Sequence, residues 1–139
     1  MFQQIVVAVD GSPHSHRALE VAKELADRFE ATLFLVHAYH HTSDLLGYEE
    51  FEKLVARREL AGQAILDDAR RRLGAVRVAV QEELLEGPPA EAILAVARTR
   101  HAELIVMGTR GLGELKGLVL GSVSHKVMHA AQCPVLVVC

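Results

Sequence analysis

The chain has 139 residues, half of them hydrophobic and 24% charged, so it is long enough to close one core and too apolar to stay disordered. Fifteen Lys and Arg stand against 18 Asp and Glu, a net charge of −3, which gives no support to a polybasic surface for nucleic acid or anionic membrane. No apolar run approaches the roughly 20 residues that a spanning helix needs, and the first ten residues lack the basic start of a signal peptide. The expectation is a single domain over residues 1–139, in the cytoplasm. Cys133 and Cys139 both sit near the C-terminus and build no disulfide framework.

Along the chain, Ile5 to Val9 is a continuous β-branched run that ends in the turn residues Asp10-Gly11-Ser12-Pro13. A helical pattern follows, with Ala18, Ala22, Leu25, Ala26 and Phe29 on one face and Ser12 or Ser15 as its cap. Thr32 to Val36 reads as a second buried strand, followed by His37-Ala38-Tyr39. After a polar connection from His40 to Gly47, the longest helix runs from about Glu49 to Leu73 and stops at Gly74. Val76, Val78 and Val80 alternate as in a strand nearer the sheet edge.

Gly87-Pro88-Pro89 opens a short helix, whose first turn tolerates proline because its N–H groups have no intrahelical partner. Leu104 to Met107 is a fourth strand, Gly108 to Gly121 a glycine-studded loop, Ser122 to Ala131 a final helix, and Pro134 to Val138 a last strand. Strand and helix alternate throughout. Short apolar strands in that order predict an α/β fold with an open parallel sheet and helices on both faces.

Ligands of such sheets bind beyond the carboxyl ends of the strands, where strand order reverses. Two strand ends carry suitable loops: Asp10-Gly11-Ser12 after the first and Gly108 to Ser124 after the fourth. Glycines let backbone N–H groups approach an anion, and the second loop feeds a helix N-terminus, where negative charge is favoured. Ser122 and Ser124 add hydroxyls, and Arg110 and Lys116 add positive charge. A surface loop that needs its glycines only for turns would carry the same residues. No G-x-x-x-x-G-K-[ST] occurs, which excludes a P-loop, and Gly111, Gly113 and Gly117 have the wrong spacing and place for a dinucleotide fingerprint.

Gly108-x2-Gly111-x9-Gly121-Ser122 resembles the G-2x-G-9x-G-[ST] nucleotide signature of the universal stress protein family. Ile5 to Ser12 resembles the opening strand and Asp loop of that family, and Cys133-Pro134-Val135-Leu136-Val137-Val138 its closing strand. The resemblance implies a five-stranded sheet in the order 3-2-1-4-5, an adenine-nucleotide alpha-hydrolase-like fold with strands 1 and 4 as neighbours. It also implies an ATP site. Val9 and Asp10 would lie against the ribose and the triphosphate or its metal, Mg²⁺ or Mn²⁺, with Asp10 on the metal. Ala38 would read the adenine edge through its backbone, and Met107 and Gly108 would flank the nucleoside. Arg110, Gly111, Gly121, Ser122, Val123 and Ser124 would hold the phosphates. The further implication is a homodimer through Val135–Val138.

Asp10 has a second reading as a turn or cap residue. His37, beside the implied adenine site, reads either as a contact or as a buried polar residue. His125 and His129 lie four residues apart, as on a solvated helix face or as two ligands of a metal. No residue is marked as the group that would orient a hydrolytic water, so binding is expected, with at most slow ATP hydrolysis.

Overall fold

The computed structural model describes residues 1–40, 47–109 and 120–139. Nine elements alternate: β1 (Gln4–Ala8), α1 (Pro13–Phe29), β2 (Thr32–Tyr39), α2 (Tyr48–Leu73), β3 (Val80–Glu86), α3 (Pro89–Thr99), β4 (Leu104–Gly108), α4 (Ser122–Ala130) and β5 (Val135–Val138). The sheet is parallel throughout, in the order β3-β2-β1-β4-β5. Strand order therefore reverses between β1 and β4, where Val7 pairs with Leu35 on one side and Val106 on the other.

Both faces of the central strands are covered, which explains their unbroken apolar runs. Ile5, Val7, Leu33, Leu35 and Val106 pack with Leu19, Ala22, Leu66 and Leu73 on the α1 and α2 side. Val6, Phe34, Val36, Ile105 and Met107 pack with Ile93, Val96 and Val127 on the α3 and α4 side. Alternation along each strand thus feeds two cores separated by one sheet.

Local chemistry sets the element ends. Ser12 caps α1, its Oγ accepting the Ser15 N–H at 3.2 Å, and Pro13 occupies the first turn. Gly74 closes α2 with φ +64° and donates to the Arg71 carbonyl at 3.1 Å.

The third strand corrects the sequence reading. Val76 and Val78 precede β3 and only Val80 belongs to it, because their alternation records packing against the α1 and α2 core and not strand pairing. The strand itself reads Val-Gln-Glu-Glu-Leu-Leu-Glu. Two of its carboxylates are accommodated on opposite faces, Glu82 by Arg70 of α2 at 2.6 Å and Glu83 by Arg100, just past α3, at 2.8 Å.

Candidate functional site

A cavity of about 560 Å³ opens at the carboxyl ends of β1, β2 and β4, within the size range of small-ligand sites. Val9, Asp10, Ala38, Met107, Gly108, Gly121, Ser122, Val123 and Ser124 all line it. Nine of the eleven positions singled out from the sequence therefore meet in one place. Arg110 and Gly111 lie outside the described residues, as do Gly113, Lys116 and Gly117.

The floor is built at the end of β1. The Val9 N–H donates to the Val36 carbonyl at 2.9 Å, and the Val9 carbonyl accepts from His37 Nδ1 at 2.8 Å. Asp10 Oδ1 accepts the Ser12 N–H at 2.9 Å, an Asx turn, while the Asp10 N–H reaches Ser15 Oγ at 3.3 Å. Gly11, at φ +83°, supplies the left-handed step of this turn. Asp10 is thus both a turn-former and a half-buried carboxylate on the cavity wall.

The second wall joins β4 to α4. Gly121 donates to the Thr109 carbonyl at 2.6 Å, and Thr109 donates to the Val138 carbonyl at 2.8 Å. Buried Ser124 donates its hydroxyl to the Gly108 carbonyl at 2.7 Å. Its hydrogen is therefore spent inside the protein, which differs from the expectation of a hydroxyl offered to an anion; what Ser124 presents outward is its main-chain N–H.

Gly121 is the N-cap of α4 and provides no side-chain cap, and no acidic residue stands in the first turn. The N–H groups of Ser122, Val123 and Ser124 are the first of the helix and lack intrahelical acceptors. Such a helix start carries a partial positive charge and suits an anion.

Gly108 answers to packing. A Cβ built there would stand 2.7 Å from His14 Cβ and 2.9 Å from the His14 carbonyl carbon, so the start of α1 rests directly on β4.

His37, read from sequence as a contact or a buried polar residue, also lines the cavity, while its helix walls were missed from sequence. Arg58, Ala61, Gly62 and Ile65 of α2 and Pro89 and Ile93 of α3 close the side beneath β2. Arg58 donates to the His40 carbonyl at 3.1 Å. Tyr39 lines the same side; burial, then the nearby Glu59 and Glu86 carboxylates, push its phenol above the usual range. The cavity thus runs from a helix-walled side by β2, where Ala61, Ile65 and Ile93 stand beside His37, Tyr39 and Arg58, to the open helix start by β4. An elongated ligand with a flat apolar part and an anionic tail matches both ends.

Elsewhere, the His125 and His129 rings meet with centroids 4.4 Å apart, and no group of three His, Cys, Asp or Glu suited to a metal occurs among the described residues. Among those residues no helix is long and apolar enough to cross a membrane.

Sheet order, switch-point cavity and glycine-led helix start define an α/β protein of the doubly wound type. Compared with known proteins, the chain belongs to the universal stress protein family, whose family description matches residues 1–138. It is 46% identical to the universal stress protein in the QAH/OAS sulfhydrylase 3′ region of Thermus aquaticus, covering 99% of both chains. Among solved structures it resembles the universal stress protein UspA from Lactobacillus plantarum, with a TM-score of 0.88 at 20% identity over 99% and 98% of the two chains, a likeness of fold. It also resembles a universal stress protein solved in complex with cAMP, with a TM-score of 0.74 at 31% identity over 99% and 97% of the chains.

Proposed function

We propose that this chain binds ATP in the cavity above β1 and β4 and acts as a nucleotide-dependent regulatory homodimer in a cytoplasmic stress response. The observation that carries the reading is the start of α4, without a side-chain cap or acidic side chains, opening onto the switch-point cavity. In this reading the N–H groups of Ser122, Val123 and Ser124, at the helix start that Gly121 caps, hold the phosphates with Arg110 and Gly111. Ala38 reads the adenine edge through its backbone, Met107 and Gly108 flank the nucleoside, and Val9 and Asp10 face the ribose and triphosphate.

A Mg²⁺ or Mn²⁺ ion fits as a passenger of the nucleotide. Asp10 offers one carboxylate, with Oδ1 already engaged by the Ser12 N–H, and Mg²⁺ is commonly held by one or two carboxylates together with substrate phosphates. The ion would screen the repulsion between that carboxylate and the triphosphate. β5 supports the dimer: among the described residues it is an edge strand of the sheet, next to β4, and its Leu136 is 38% exposed.

A second reading, another adenylate such as cAMP in the same cavity, is favoured by the 31%-identical relative solved with that ligand. Calorimetric titration of Mg²⁺-ATP and of cAMP into the wild type and Gly121→Val tests both. The expected result is ATP binding by the wild type and a loss of at least about tenfold in the variant, whose side chain crowds the helix start. Equal affinities would count against the site, and tighter cAMP binding would favour the second reading. Binding of neither would turn the assignment to a nucleotide-independent interaction module. Turnover that vanishes in Asp10→Asn while binding persists would add slow hydrolysis.

A further inference from the structure

We infer that His37 is a specificity residue of the cavity, accepting a hydrogen bond through Nε2 from the 6-amino group of the purine. This rests on the nucleotide reading above and adds a side-chain reader to it.

The argument starts from a proton whose place is fixed. His37 Nδ1 lies 2.8 Å from the Val9 carbonyl oxygen, and a carbonyl only accepts, so Nδ1 carries the hydrogen. In the neutral ring Nε2 then holds a lone pair. Nε2 has no hydrogen-bond partner among the described residues, and His37 is half-buried on the cavity wall.

Room is made beside this ring. Gly62 stands in the interior of α2, where glycine costs about 1 kcal/mol against alanine, so its presence calls for a reason. A Cβ at that position would stand 3.3 Å from His37 Cδ2, 3.8 Å from Nε2 and 2.7 Å from Leu84 Cδ1. The missing side chain makes room first for Leu84 and next for the Cδ2 edge of the His37 ring, and Gly62 lines the same cavity.

The Val9 carbonyl fixes the ring's orientation from one side and the glycine clears its Cδ2 edge. The result is an oriented acceptor on the β2 side of the cavity, away from the anion-favouring start of α4. A 6-aminopurine presents a donor to such a group. A 6-oxopurine presents an oxygen, and two lone pairs would face each other. The inference is discrimination between the two bases by one side chain.

The test compares ATP with its 6-oxo analogue ITP, by calorimetry, in the wild type, His37→Asn and His37→Gln. The Asn amide can keep the bond to the Val9 carbonyl but puts nothing at Nε2; the Gln amide oxygen reaches toward the Nε2 position. The wild type is expected to prefer ATP by about five- to tenfold, the size of one hydrogen bond. That preference should fall about fivefold in His37→Asn and persist in His37→Gln. An ATP-to-ITP ratio unchanged in a folded His37→Asn overturns the inference while leaving nucleotide binding intact. Failure of the wild type to bind either nucleotide removes the underlying reading and this one with it. Independently of any variant, the ¹⁵N resonance of wild-type His37 Nε2 should move on adding ATP, and a resonance that ATP leaves in place overturns the inference.

Discussion

Replacing Gly108 by alanine separates two reasons for a glycine at the end of β4. The added methyl would stand 2.7 Å from His14 Cβ, 2.9 Å from its carbonyl carbon and 3.0 Å from its carbonyl oxygen. Two of those atoms are backbone in the first turn of α1, so no rotamer change relieves them. Opening the closest contact to the ordinary 3.5–4.0 Å requires a displacement of about 1 Å. Overpacking of this kind costs about 1–3 kcal/mol. For a chain of this length each kcal/mol corresponds to a melting shift of about 3–5 °C, so Gly108→Ala should melt about 3–15 °C below the wild type. Thermal unfolding followed by circular dichroism on nucleotide-free protein reads this directly. A nucleotide-free melting temperature equal to that of the wild type, combined with lost ATP affinity, would refute the packing argument and return the glycine to the ligand.

Three further outcomes are expected. Ser124→Ala removes the buried hydroxyl that bonds the Gly108 carbonyl at 2.7 Å and should lower the unfolding free energy by about 1–2 kcal/mol in urea titrations. Asp68, hydrogen-bonded by Arg72 at 2.8 Å and by Arg71 at 3.3 Å, has a pKa held below its ordinary value of 3.8, the Arg72 bond contributing most. Because the folded value is the lower one, its stabilisation is present above the unfolded pKa and is lost as pH falls through the folded value. Urea midpoints of Asp68→Asn should therefore change less than those of the wild type over that acid range. Burial raises the Cys133 thiol pKa, whereas Cys139 is exposed, so mass spectrometry after brief iodoacetamide treatment at mildly alkaline pH should find Cys139 alkylated first.

The central strands were legible because burial on both faces leaves a continuous apolar run, as in Ile5 to Val9 and Leu104 to Met107. β3 was not, because an edge strand can carry Glu82 and Glu83 when Arg70 and Arg100 meet them from the two faces. Nothing local in the sequence announces those long-range pairings. The site divides similarly. Its glycine spacing and the Asp loop lie in short segments whose order survives in the sequence, and the described positions among them meet in the cavity. The α2 wall escaped notice, since Arg58, Gly62 and Ile65 look like any helix surface until the helix is docked. For Ser124 and Gly108 the sequence left unread what packs and bonds on them inside the protein. The direction of a hydroxyl bond and the approach of His14 are tertiary facts.

The bond from Gly121 to the Thr109 carbonyl, at 2.6 Å, joins the two ends of the segment between them, and Ser124 fastens the same junction from within α4. The sheet and α4 are thus fastened to each other at residues 109 and 121 by bonds of their own. Because closure entropy grows only with the logarithm of length, doubling the segment between those residues costs about 0.6 kcal/mol. Length variants between residues 109 and 121 should therefore cost the fold little, even where they change the spacing of Gly111 and Gly121.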